Sequence, residues 1–214
     1  VDFIADNKSF FDDHQLSFFE MTVGMAFDYF AKQKVDIAII EVGLGGRFDS
    51  TNIIVPEVSL ITNIGLDHTD ILGDTLAEIA YEKAGIIKEN VPVVVSERQK
   101  ETTETFLEVA HSKNTKIIFA DDLVKIDYET DLLGAYQLKN ITGVVASLKF
   151  LEGFLITEEH ICAGLKNIIR NTGLLGRWQI LGNAPAIVCD TAHNKEGISL
   201  VLEQIAQQNF NQLH

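Results

Sequence analysis

The chain has 214 residues, 46% of them hydrophobic and 22% charged, which suffices for one sizeable core and part of a second and excludes a disordered or fibrous chain. Seventeen basic against thirty-one acidic residues leave a net charge of −14; this excludes a nonspecific nucleic-acid binder, which needs a basic footprint, but not a small anionic substrate held in a local basic pocket. Cys162 and Cys189 share no metal-binding spacing and make no disulfide framework, no apolar run reaches the ~18 residues of a membrane span, and no basic-then-apolar leader opens the sequence. A reduced, cytoplasmic setting without membrane association is expected.

In chain order, the first periodic segment is Gln15 to Lys32. Leu16, Phe19, Val23, Phe27 and Phe30 recur at three- and four-residue steps, which predicts a helix, with Asp12 or Asp13 as its cap. The runs Val35–Ile40, Val58–Thr62, Val91–Ser96 and Lys116–Ala120 are short, branched and apolar, as buried parallel strands are. Helices are expected between them, near Thr75–Ile87 and Lys100–Ser112. This alternation predicts an α/β fold with a doubly wound, mostly parallel sheet. Two more helices, Lys139–Leu151 and Glu158–Ile169, would close a first domain over residues 1–172. Asn171-Thr-Gly173 reads as a hinge. Beyond it, Trp178–Leu181 and Ala186–Cys189 as strands and Glu196–Gln207 as a helix would begin a second, Rossmann-like α/β domain over 173–214.

Two loops stand out. The first is Glu41-Val-Gly-Leu-Gly-Gly-Arg-Phe-Asp-Ser-Thr-Asn52, which follows the Val35–Ile40 run. A carboxylate at a strand end followed by three glycines suits an anion or a metal, because the backbone can approach a ligand closely. Such glycines also serve plain tight turns. The second is Thr62-Asn-Ile-Gly-Leu-Asp-His-Thr-Asp-Ile-Leu-Gly73, after the Val58–Ile61 run. Four further blocks follow: Glu82-Lys-Ala-Gly-Ile86, Leu133-Gly-Ala-Tyr-Gln-Leu-Lys-Asn140, Gly176-Arg-Trp178 and Asp190-Thr-Ala-His-Asn194.

Six blocks in this order resemble the folylpolyglutamate synthases and dihydrofolate synthases of the Mur ligase superfamily, and the match runs along nearly the whole chain. The resemblance implies an ATP-dependent amide ligase that joins L-glutamate to a folate or to dihydropteroate through an acyl phosphate. It implies two Mg²⁺ sites, with Glu41, His68 and Lys83 as ligands, Lys83 in carbamylated form. Imidazole is an unusual Mg²⁺ ligand on hardness grounds, whereas a carbamate suits a hard cation far better than an amine does. Carbamylation needs a lysine whose pKa is lowered by its site.

By the same resemblance Gln137, Asn140, Arg177 and Asp190 contact ATP; a guanidinium there can pair bidentately with phosphate oxygens. His193 lies near the phosphates or the incoming glutamate, and Asp49 and Asn52 face the substrate. Lys83, His68, Arg177 and His193 form the catalytic set. Each residue also has a plainer reading. Lys83 could pair with Glu82 or Glu78 on its helix, Arg177 could make an interdomain ion pair, and Asn140 and Asn194 could cap helices.

Thr191 and Lys195 depart from the Gly and Pro usual in the family. The family also has a Walker-type phosphate loop ahead of these blocks, and none of the Gly-x-x-x-x-Gly-Lys-Ser/Thr pattern occurs here. The chain is therefore read as part of a longer protein, monomeric, with residues also missing near Asp121–Asp131. A Mur-type cell-wall ligase and a non-catalytic nucleotide-binding fragment are the alternatives.

Overall fold

The computed structural model describes residues 2–123 and 128–214. Part of the Asp121–Asp131 join expected to be short lies outside the described residues. The chain divides into two units, Val1–Val55 and Pro56–His214.

The first unit is helical and then irregular. Helices α1 (Asp2–Asp6) and α2 (Lys8–His14) precede α3 (Phe18–Gln33). The cap of α3 is Ser17, not Asp12 or Asp13. Ser17 accepts from the Glu20 N–H while the Glu20 carboxylate takes the Ser17 N–H at 2.8 Å, a reciprocal capping box. Asp12 and Asp13 lie inside α2.

The strand expected at Val35–Ile40 does not form, and Ile37 and Ile39 stand 47% and 92% exposed. The physical reason is that a branched apolar run is a strand only when a partner satisfies its backbone groups, and the described residues of this unit contain no strand to pair with it.

The second unit holds a parallel sheet of β1 (Ser59–Ile61), β2 (Val93–Val95) and β3 (Ile117–Phe119), in the order β1-β2-β3. Ser59 lies opposite Val93, and Val93 opposite Ile117. Helix α4 (Thr69–Leu72) and helix α5 (Leu76–Ala84) connect β1 to β2, and α6 (Lys100–Ser112) connects β2 to β3. Val93, Val94 and Val95 are at most 1% exposed. Each contributes about 1.5–3 kcal/mol through burial, and a strand covered on both faces explains the unbroken valine run.

After β3 come α7 (Gln137–Leu148), α8 (Glu158–Lys166) and the short α9 (Ile168–Thr172), the last two dividing the single helix expected over 158–169. Helix α7 packs Ala146 against Val94, Ile118 and Ala120. An antiparallel pair, β4 (Gln179–Asn183) and β5 (Ala186–Cys189), leads to α10 (Lys195–Ala206). Asn194 caps α10 by accepting from the Gly197 N–H at 2.9 Å. Among the described residues no helix is long and apolar enough to cross a membrane.

Candidate active site

In the first unit the glycine loop is organised by Asp49. Its Oδ2 accepts the N–H groups of Gly43 and Leu44 at 3.0 and 2.9 Å, and its Oδ1 accepts the Thr51 N–H at 2.9 Å and the Thr51 hydroxyl at 2.5 Å. Burial pushes the carboxyl up, but these four donors outweigh it and hold Asp49 below the ordinary carboxylate range. The carboxylate is thus engaged by its own loop. Asn52 also turns inward and donates to the Arg47 carbonyl at 3.2 Å. Gly45 has φ +64°, a conformation that favours glycine. Gly43 is a close approach, since a Cβ there would stand 2.9 Å from a ring carbon of Phe19 on α3. Glu41 is exposed at the head of this loop, with no strand before it.

In the second unit the loop after β1 carries Asp67 and His68 at the carboxyl end of a parallel strand, where open α/β sheets bind ligands. His68 is left-handed, with φ 50° and ψ 41°. Its N–H donates to Asp67 Oδ1 at 2.9 Å, and its exposed ring keeps Nε2 3.9 Å from the same oxygen. Asp67 Oδ2 accepts from Asn194 Nδ2 at 3.0 Å, which helps hold the carboxyl below its ordinary range.

Lys83 lies in the last turn of α5 and is half-buried. Burial lowers its pKa; the Asp67 carboxylate opposes this but does not reverse it. A lowered lysine pKa leaves more free amine to react with an electrophile at neutral pH. Among the described residues no group of three or more His, Cys, Asp or Glu side chains is placed to hold a metal. The donor chemistry nonetheless fits Mg²⁺. That ion keeps most of its waters and binds phosphate oxygens, so it needs only one or two protein ligands, and a carbamate on Lys83 would supply oxygen.

A third group of residues gathers around Asp190. Its Oδ2 accepts the Trp178 N–H at 2.8 Å and the Tyr136 hydroxyl at 2.7 Å, and its Oδ1 accepts the Ala192 N–H at 2.9 Å. Burial acts to raise its pKa, but these donors and the Arg177 charge bring it below the ordinary range. Arg177 donates from Nη1 to the Thr191 hydroxyl, and Thr191 N donates to the Gly176 carbonyl at 2.9 Å. Gly176 has φ +72°, and a Cβ there would meet Thr191 Cγ2 at 2.5 Å. Threonine at 191 thus packs onto glycine at 176 and engages the arginine between the two turns. His193 is exposed, with Nδ1 3.1 Å from the Thr191 carbonyl.

Asn140 does not cap α7, which begins at Gln137; instead its Nδ2 donates to Gln137 Oε1 at 2.9 Å. Both amides border a cavity of about 340 Å³ between α7 and α8, walled by Ile141, Val145 and Leu165 and also bordered by His160.

The structure therefore joins Gln137, Asn140, Arg177, Asp190 and His193 in one unit that also contains His68 and Lys83. Glu41, Asp49 and Asn52 belong to the other unit. Sequence reasoning passed over Tyr136, Asn194 as a partner of Asp67, and Gln204. The Gln204 amide accepts the Ala135 N–H at 2.7 Å and donates to the Leu133 carbonyl at 2.8 Å. Tyr136 and Asn194 each lay inside one of the six motifs, whereas Gln204 had no signal in the sequence.

Residues 11–123 match the Mur ligase middle domain. The chain is 35% identical over 221 aligned positions to the dihydrofolate synthase/folylpolyglutamate synthase of Bacillus subtilis, an alignment covering 90% of this chain and 50% of that protein. It is 31% identical to the folylpolyglutamate synthase of Lacticaseibacillus casei, over 91% of this chain and 50% of that one. Among solved structures it is similar to the folylpolyglutamate synthase of Thermotoga maritima, with TM-score 0.80 and 31% identity over 95% of this chain and 52% of that one. It is also similar to a folylpolyglutamate synthase complex with AMPPCP and folate, with TM-score 0.84 and 29% identity over 95% and 56%. The chain spans about half the length of the curated relatives it matches. With the middle-domain match over residues 11–123 and six sequence blocks in the family's order, the chain belongs to the Mur ligase family, on its folylpolyglutamate synthase/dihydrofolate synthase branch.

Proposed function

We propose that the protein contributes the nucleotide-binding part of an ATP-dependent ligase that adds L-glutamate to a folate, to dihydropteroate, or to both. In this reading the γ-phosphoryl group passes from ATP to the acceptor carboxylate, leaving ADP. The glutamate amine then attacks the acyl phosphate, the amide bond forms and inorganic phosphate departs. The observation that carries the reading is the half-buried Lys83 amine, shifted down by burial, beside the Asp67–His68 loop at the carboxyl end of β1. Relatives named as folate glutamate ligases support it, as does the complex with AMPPCP and folate.

The assigned roles follow from chemistry. Gln137 and Asn140 hold the base edge of ATP beside an apolar wall. Asp190 meets the ribose, and Arg177 and His193 serve the phosphates. Glu41 in its unit, and His68 with a carbamylated Lys83 in theirs, would each serve as Mg²⁺ ligands, two ions in all; Mg²⁺ supplies charge neutralisation on phosphate oxygens when bound. Asp49 and Asn52 shape the glycine loop that faces the substrate. Residues from 173 onward begin the second domain, and the protein is a cytoplasmic monomer. The Mur-type cell-wall alternative is not favoured by the named relatives.

The test is ADP release by the full protein, with dihydropteroate or tetrahydrofolate plus glutamate, compared with Lys83→Ala. Acceptor-dependent turnover that falls in the variant supports the reading. Equal turnover in both removes the carbamate, and no turnover with either acceptor removes the ligase.

A further inference from the structure

Tyr136, at the start of α7, reaches from the Gln137–Asn140 pair to Asp190. Asn140 Nδ2 donates to Gln137 Oε1 at 2.9 Å, and Tyr136 directly precedes Gln137 at the start of α7. Tyr136 Oη in turn donates to Asp190 Oδ2 at 2.7 Å. Two backbone donors, Trp178 N–H and Ala192 N–H, complete the carboxylate's shell at 2.8 and 2.9 Å. They hold Asp190 within its own loop, but neither ties that loop to α7. Tyr136 provides this tie, across 54 positions of sequence. Docking of α10 is a separate matter. It involves Gln204, whose amide clamps the 133–135 backbone at 2.7 and 2.8 Å, and the cap Asn194, which reaches Asp67. Removing the tyrosine hydroxyl therefore unties the Asp190 carboxylate from α7 while its two backbone donors and that clamp stay in place.

We propose that Tyr136 is a positioning residue of the nucleotide site, its hydroxyl fixing Asp190 relative to Gln137 and Asn140 before the nucleotide arrives. This rests on the reading of Asp190, Gln137 and Asn140 as ATP contacts given above, and it adds a residue that touches no nucleotide itself. A pre-set pair of contact groups spares the ordering cost that binding would otherwise meet. The phenol is suited to the task. Burial first, and then the bond to Asp190, push its ionisation up to about 12, so it remains a donor throughout the working pH range.

The experiment is a double-mutant cycle in the full protein with Tyr136→Phe, Asp190→Asn and the pair. The affinity for AMPPCP is measured by isothermal titration calorimetry, and the Asp190 carboxyl is titrated by ¹³C NMR without nucleotide. Tyr136→Phe is expected to weaken AMPPCP about fivefold, the worth of about one hydrogen bond. It is expected to add nothing in the Asp190→Asn background and to raise the Asp190 titration midpoint. An affinity unchanged in Tyr136→Phe while Asp190→Asn weakens binding overturns the proposal. Equal losses from Tyr136→Phe in both backgrounds overturn it too. Wild-type affinity in Asp190→Asn, or no binding by any variant, removes the nucleotide reading instead, and the NMR titration then decides alone whether Tyr136 sets Asp190. Should Tyr136→Phe fail to fold, 3-fluorotyrosine at position 136 changes donor strength at nearly constant shape, and an unmoved Asp190 midpoint there overturns the proposal.

Discussion

The Gln99 side chain pairs with both backbone groups of Ile64: its Oε1 accepts the Ile64 N–H and its Nε2 donates to the Ile64 carbonyl, each at 2.7 Å. One amide thus does for the loop after β1 what a neighbouring strand does for β1 itself. Ile64 is 2% exposed, so its polar backbone has little access to water, and that loop leads directly to Asp67 and His68. Gln99→Glu replaces the donor with a second acceptor. The variant is expected to lose about 1–3 kcal/mol, the cost of a buried carbonyl left without a donor. Urea unfolding measures it, and an unchanged midpoint refutes it.

Helix α7 depends on a missing Cβ at Gly143. A methyl group there would stand 2.8 Å from Ser96 Cβ and collide with Ser96 Oγ, at the end of β2. Gly143→Ala is expected to destabilise by about 1–3 kcal/mol through overpacking, despite alanine's better helix propensity. The double variant Gly143→Ala with Ser96→Ala should recover part of the loss, as a thermal melt would read.

Lys83 links stability to chemistry. The folded state lowers its pKa, so the folded chain binds the proton less tightly than the unfolded chain does. The stability cost is fully present below the folded pKa and is relieved as pH rises through it. Lys83→Met is expected to melt slightly above the unmodified protein at neutral pH while turnover falls at least about a hundredfold, the loss of a group that acts on the reacting phosphates. ¹³C-labelled bicarbonate should give a carbamate resonance that Lys83→Met lacks.

Asp49, Asp67 and Asp190 all lie below the ordinary aspartate value of 3.8. Each contributes stability that is present above that value and lost as pH falls through its lower folded value. The urea midpoint should fall steeply as pH drops below 3.8. Asp49→Ala, which removes the acceptor of four hydrogen bonds, should flatten part of that limb and cost about 2 kcal/mol.

Much of the fold was legible because helices and covered strands print their burial on the sequence as a period. Lys100–Ser112 was expected as a helix at those bounds, and the three branched runs of the second unit formed the parallel ladder. Val35–Ile40 carried the same print and formed no strand, because the local pattern records greasiness and not the presence of a partner. The site blocks were legible as motifs, and Asn194 was read correctly as a cap. Its other partner, Asp67, lies 127 positions away, and no spacing rule reaches so far.

By itself, then, the sequence determined the alternation of helix and strand, the branch of the family, and the polar residues that collect in loops. Those depend on side-chain identity and on distances of a few residues. The tertiary structure alone decided that Asp49 turns into its own loop, that Lys83 is half-buried beside Asp67, and that Tyr136 ties Asp190 to α7. Desolvation and hydrogen-bond pairing are set by what the folded chain packs against a group, and for these residues that includes neighbours remote in the chain.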